Sequence, residues 1–181
     1  PGLFLPGDRF IIRQFSPVVT IGGGVILDSH APRHRASDSA VGQLLKVLER
    51  GDADARLELL AKQAGEVSLA DLVARTGWHP QEVLKIARTL EGKKRLTILG
   101  QPPNLLVHGD HFKTLAGRVL DVLEKFHVSN PLVGGMAKEE LRARAARGTA
   151  ARQALPSAPL FNAVLQSLSG EGKVEVSGET V

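Results

Sequence analysis

Ser68-Leu69-Ala70-Asp71-Leu72-Val73-Ala74-Arg75-Thr76-Gly77-Trp78-His79-Pro80-Gln81-Glu82-Val83 holds two helix starts around one stop. Ser68 followed three residues later by Asp71 has the form of a capping box, with the serine placed to bond first-turn amides. A short helix over residues 69–75 follows, with Leu69, Leu72 and Val73 facing inward. Gly77-Trp78-His79 makes a tight turn, and Pro80 suits the first position of the next helix. Val83, Ile86, Ala87 and Leu90 mark that helix's inner face, and Gly92 stops it. Arg95-Leu96-Thr97-Ile98-Leu99 then alternates like a strand, Gln101-Pro102-Pro103-Asn104 turns, and Leu105-Leu106-Val107 returns.

Helix, turn, helix and β-hairpin in this order form a winged-helix plan. The plan recurs downstream. A long helix runs over about residues 110–127, with Phe112, Leu115, Val119, Val122, Leu123 and Phe126 on one stripe, and Asn130-Pro131 breaks it. A short helix over residues 138–146 holds Leu141 and Ala145. Ser157-Ala158-Pro159 opens another with Phe161, Val164, Leu165 and Leu168, Gly170 ends it, and Lys173-Val174-Glu175-Val176 reads as a strand. At an offset of 78 residues Val83 meets Phe161, Ile86 meets Val164, Leu90 meets Leu168, Gly92 meets Gly170, Leu96 meets Val174 and Ile98 meets Val176. Two copies of one unit explain this better than coincidence. The second copy has a longer connection between its short helices, at residues 148–156.

Upstream of the first copy, Val41, Leu44, Leu45 and Leu48 make one helix ended by Gly51-Asp52. Leu57, Leu60, Ala61 and Ala64 make another, stopped by Gly65. Residues 29–38 are polar, contain a proline and lack periodicity, as a linker would. His30 and His34 lie four apart, but Pro32 between them opposes the helix that would aim both at one metal.

The first residues differ in kind. Gly7-Asp8-Arg9-Phe10-Ile11-Ile12-Arg13 and Ser16-Pro17-Val18-Val19-Thr20-Ile21-Gly22-Gly23-Gly24-Val25-Ile26-Leu27-Asp28 read as two strands with glycines where a bulge or a close backbone approach is needed. Two strands rarely stand alone, so this stretch is expected to be the closing edge of a β-barrel. It resembles the last hairpin of the third domain of elongation factor Tu-like translation GTPases. Ser-Pro-x-x-Thr-Ile-Gly-Gly-Gly-x-x-Leu-Asp is most similar to the bacterial selenocysteine-specific elongation factor (SelB) family. Outside residues 7–28 the likeness rests on the order of barrel end, linker and tandem winged helices. The expected fold is α+β and mostly helical, with a barrel end over 1–29, a linker over 30–38 and winged-helix modules over 39–108 and 109–181. Pro1-Gly2 opening in mid-pattern suggests a fragment with a catalytic portion upstream. The resembled family has four winged-helix modules and reads its messenger hairpin with the last ones, so this chain is expected to lack the readers.

The 181 residues suffice for one or two domains. With 43% hydrophobic and 23% charged residues the composition is that of a soluble globular protein. No apolar run is long enough for a membrane span, and no signal segment opens the chain. The absence of cysteine excludes disulfides and thiolate metal sites and fits a cytoplasmic location. No phosphate-cradling loop or His-Glu-x-x-His helix is present. The fragment is therefore expected to be non-catalytic and to hold no cofactor or metal. The resemblance implies GTP and Mg²⁺ in an upstream domain.

Net charge is +4, a mild bias compatible with nucleic acid. Lys93, Lys94 and Arg95 lie where the first wing begins. Arg142, Arg144, Arg147 and Arg152 gather around the second unit's short helix and connection, beside Glu139 and Glu140. These are candidate RNA-backbone contacts, although a solvated basic face explains each cluster without function and is the ordinary reading. Gln81, Lys85 and Arg88 on the first copy's second helix could read a groove, whereas the matching helix offers only Asn162 and Gln166, which is poor equipment for DNA. By resemblance only, Arg13, Thr20, Gly22, Gly23 and Gly24 match the barrel face turned toward the aminoacyl-tRNA stem. Strand closure would explain the glycines too.

The expectation is a monomeric spacer within a selenocysteine-specific elongation factor. The resemblance implies selenocysteyl-tRNA, the ribosome and the insertion hairpin in messenger RNA as partners, and no membrane. The alternatives are a winged-helix DNA-binding transcription regulator and a protein-interaction module.

Overall fold

The computed structural model describes residues 4–31, 33, 35, 38–146 and 155–181. Strand β1 (Arg9–Gln14) pairs antiparallel with β2 (Val19–Val25). Their register shifts between Ile12, opposite Gly22, and Arg13, opposite Thr20, so Ile21 is the bulged residue. Every residue of the two strands is solvent-exposed, Phe10, Ile11, Ile12 and Ile21 among them.

The described residues from 38 onward are mostly helical, with one small sheet among them. Asp38 caps α1 (Ser39–Arg50) by accepting from the Ala40 amide at 3.0 Å, and Asp52 caps α2 (Ala53–Ala64) by accepting from Ala55 at 2.8 Å. After β3 (Glu66–Ser68), Ser68 Oγ accepts from the Asp71 amide at 3.0 Å and starts α3 (Leu69–Thr76). Gly77, at φ 70°, ends it in the left-handed conformation that glycine adopts without cost. Helix α4 (Pro80–Gly92), β4 (Leu96–Leu99) and β5 (Leu105–His108) complete a winged helix. Its sheet runs in the order β3-β5-β4, both pairs antiparallel. Helices α5 (Gly109–Ser129), α6 (Lys138–Ala146) and α7 (Ala158–Gly170) form the second unit.

Two buried clusters flank that sheet. Strand geometry sends alternate side chains to opposite faces, and here both faces find a core. Leu96, Leu106 and Val67 pack with Leu57, Leu72, Val83, Ile86 and Leu90. Val107, with Leu99 and Leu105 at its margin, packs with Leu115, Val119, Leu141, Phe161, Val164 and Leu168. The register places Leu99 opposite Leu105 and Thr97 opposite Val107 on the face toward the second unit. Adjacent apolar residues such as Leu105-Leu106-Val107 are the mark of a strand buried on both sides. Helix α5 begins at Gly109, directly after β5 ends at His108, so no linker separates the units.

The repeat extends to backbone detail. Arg95 donates to the Leu90 carbonyl at 2.9 Å and Lys173 to Leu168 at 3.0 Å; Lys94 donates to Glu91 at 2.8 Å and Gly172 to Ser169 at 3.0 Å. Lys94 and Gly172 share the left-handed region, at φ 58° and 68°. The second wing departs from expectation, because residues 173–176 form no ladder. Instead Ser177 bridges Thr180 across Gly178-Glu179, and Met136 and Val181 exchange amide bonds at 2.8 and 2.9 Å. Thr180 bridges Ser177 and Ala137, so no partner strand runs beside Val174–Val176 among the described residues.

Candidate nucleic-acid interface

The cations at the base of the wing divide into bound and unbound. Lys93 Nζ lies 2.7 Å from Asp54 Oδ2, whose hydrogen bond and charge raise the ammonium pKa. Arg95 donates from Nε to Glu58 Oε1 at 2.8 Å, and its Nη2 contacts the same oxygen. Lys62 pairs with Asp110 at 3.1 Å. Asp54, Glu58 and Lys62 recur every four residues along α2, so one helix stripe fastens the wing base and the start of α5. His108, 2% exposed, caps α5 by accepting from the Asp110 amide at Nδ1 (3.1 Å), and its Nε2 stands 3.6 Å from Glu58 Oε1. Lys94 alone of the three wing-base cations has no carboxylate within 4.0 Å among the described residues.

In the second unit, Arg142 pairs with Glu139 at 2.7 Å and Arg144 with Glu140 at 2.6 Å, one helical turn back. Arg142 Nη1 also donates to the Pro156 carbonyl at 3.4 Å. These are solvated helix pairs of small energy. Arg147 and Arg152 lie outside the described residues, as does most of the connection at residues 148–156; His34 of the His30–His34 pair also lies outside them.

On the hairpin, Arg13 and Thr20 are opposite one another and exposed. A Cβ at Gly23 would stand 2.6 Å from the Phe10 carbonyl oxygen, and one at Gly24 2.9 Å from the Phe10 ring. Strand closure therefore requires glycine at 23, where the obstacle is backbone, while at 24 the exposed Phe10 ring would have to swing aside. Gly22 has open space around it.

Lys85 and Arg88 are exposed on α4, opposite the buried Val83, Ile86, Ala87 and Leu90. No ion pair engages either among the described residues. The matching α7 carries no charged side chain; Asn162, Gln166 and Ser169 are its exposed polar residues. Trp78 packs half-buried at the edge of the first core, as a cap residue rather than a free stacking platform.

Two structural ties carried no sequence signal. Asp28, read as the end of the hairpin, forms an ion pair with Arg75 at 2.5 Å, with side chains 5% and 12% exposed. Burial pushes the Asp28 carboxyl up, but the Arg75 guanidinium, the His30 amide and the nearby positive charges outweigh it and hold it below its ordinary value. Glu66 accepts from Ser157 Oγ at 2.9 Å and from the Ser157 amide at 3.2 Å, while Ser157 Oγ accepts from the Leu160 amide at 3.3 Å. A carboxylate of the first unit thus sits at the N-terminus of the second unit's α7, where the helix dipole favours it. His111 lies beside Glu66, and burial lowers its pKa.

Comparison with known proteins adds two findings. Residues 120–181 match the family model for a winged-helix domain of elongation factor SelB. The selenocysteine-specific elongation factor of Desulfomicrobium baculatum is 27% identical over 150 residues, which cover 82% of this chain and 23% of that protein. The chain thus spans less than a quarter of the length of the relative it matches.

Proposed function

We propose that this chain is part of a SelB-type elongation factor, to which its second unit and most of its length are similar, and that it is the spacer between that factor's GTPase and tRNA-carrying body and its messenger-binding end. The observation that carries this is the sheet buried on both faces. A flexible tether would leave the outer face of β4 and β5 to water; here Val107, Leu99 and Leu105 pack against α5 and α7. Burying an aliphatic side chain is worth about 1.5–3 kcal/mol, so separating the units would expose several such contributions together. The Asp28–Arg75 pair and Leu27, packed against the first core, extend the same fixation to the hairpin.

In this proposal residues 1–29 close a barrel domain, 30–38 link, and 39–108 and 109–181 are the factor's first two winged-helix modules. The complete factor binds GTP and Mg²⁺ upstream, carries selenocysteyl-tRNA to the ribosome in the cytoplasm, and holds the messenger hairpin beside a recoded UGA with later modules. The two modules set the distance and angle between these ends and perform no chemistry themselves. Arg13, Thr20 and Gly22 would lie on the tRNA side of the barrel.

A fluorescence-anisotropy titration against a selenocysteine-insertion RNA hairpin, an unrelated RNA hairpin and a DNA duplex tests this. Weak binding to both RNAs, falling with salt and without preference, is expected. Tight, sequence-selective DNA binding contradicts the translation role, and strong preference for the insertion hairpin contradicts the spacer role.

A further inference from the structure

We propose that Lys85, Arg88 and Lys94 form a face that grips an RNA phosphate backbone, so the first module is a spacer that also touches RNA along its length. The choice of RNA rests on the translation-factor reading above; the cationic face does not.

Lys85 and Arg88 stand one turn apart on the exposed side of α4. Side chains at that spacing are neighbours, with Cβ atoms about 5–6 Å apart, and their long stems reach adjacent phosphates of one strand. Lys94 follows two residues after the helix ends and is exposed. All three lack an acidic partner among the described residues, while Lys93 and Arg95 on either side of Lys94 are held by Asp54 and Glu58. Of the acids on the same helix, Glu91 accepts from the Ile98 amide at 2.9 Å, and Glu82 makes no ion pair among the described residues.

Lys94 is also the only described non-glycine residue with positive φ, at 58°. The matching position of the second unit holds Gly172, at 68°, in the same hydrogen-bonded turn. The turn therefore needs no lysine, and glycine would remove the strain. A strained cation without an internal partner points outward, to function. The offset helix supports this independently, since α7 folds on the same buried positions with no charge at all. With Gln81 the sole amide beside these cations, the face is built to meet phosphates rather than to read bases.

The test is anisotropy of the whole chain with two unrelated labelled RNA hairpins across a salt series. Variants are K85Q/R88Q/K94Q, K94G and K93Q, with circular dichroism and thermal unfolding checking the fold. Wild type should bind both hairpins within about threefold of each other. The triple variant should weaken at least tenfold on both. Its slope of log K against log salt should flatten by about 2, since each phosphate left unneutralised removes about 0.7–0.9. K94G, which adopts the residue found at the matching turn and stays folded, should weaken about threefold and flatten the slope by about 1. K93Q should keep the wild-type slope. Unchanged RNA binding by both K94G and the folded triple variant overturns this inference and leaves the spacer role intact. Absence of salt-dependent RNA binding in wild type, or equal capture of an acidic peptide through the same three residues, also overturns it. Tight selective binding to a control DNA duplex would remove the translation reading itself.

Discussion

Lys94 and Gly172 occupy the same place in two copies of one turn, at φ 58° and 68°. L-residues other than glycine pay about 1–2 kcal/mol in that region, so Lys94→Gly should raise unfolding free energy by about 1 kcal/mol in urea titration. A loss of stability there would mean that the lysine side chain has a partner in the fold. Asp28 and Arg75 make the opposite case, a buried pair whose rupture leaves one charge stranded. Asp28→Asn should cost about 3 kcal/mol, read as urea-induced undocking of the hairpin. The sign with pH follows from the depressed Asp28 pKa: the stabilisation is complete above the ordinary carboxylate value of 3.8 and fades as pH falls through the lower folded value. His111 acts in a higher window. Burial lowers its pKa, so the folded state resists a proton that the unfolded chain accepts, and stability should decline as pH drops below 6.5. His111→Gln should flatten that part of the profile; an unaltered slope would place the titration elsewhere. Such pairings join residues 47 positions apart, or 37 for Arg95 and Glu58. Nothing local announces them, and so Lys93 and Arg95 read in sequence as free cations.

At the scale of elements, local rules sufficed wherever a helix began, ended or turned an apolar face inward. Ser68, Pro80 and Ser157 start helices as their residue types require, and Gly77 stops one. The 78-residue offset was readable because both copies bury the same positions, Val83 with Phe161 and Leu90 with Leu168. Strand β3 was not readable: three residues are too few for periodicity, and pairing with β5 defines them. Val174–Val176 failed for a related reason, since alternation marks a strand only when a partner runs beside it. Ser157 joins two elements, capping α7 and bonding Glu66. Ser157→Ala should therefore cost about 1–2 kcal/mol, and Glu66→Ala should account for part of the same loss in a double-mutant cycle. Strict additivity of the two substitutions would show that the cap and the inter-unit bond act independently.

For the whole molecule, the decisive fact is that β5 serves two cores, Leu106 one and Val107 the other. Sequence shows Leu105-Leu106-Val107 as an apolar run but not what covers its second face, because the cover comes from α5 and α7, further along the chain. The basic candidates were legible as residue types only; which are paired and which are free depended on the fold. A shared strand should make the winged units unfold together. Val107→Ala, at about 2 kcal/mol, should lower one common transition for both rather than split it. Rigidity is also what a spacer needs, and the absence of cysteine lets it be measured directly. Spin labels on cysteines placed at Gln81 in α4 and Asn162 in α7, both exposed, report the distance between the units by electron–electron resonance. One narrow distance distribution, unchanged by RNA, is the predicted result. A broad or two-peaked distribution would contradict the claim that the two units form a single rigid body.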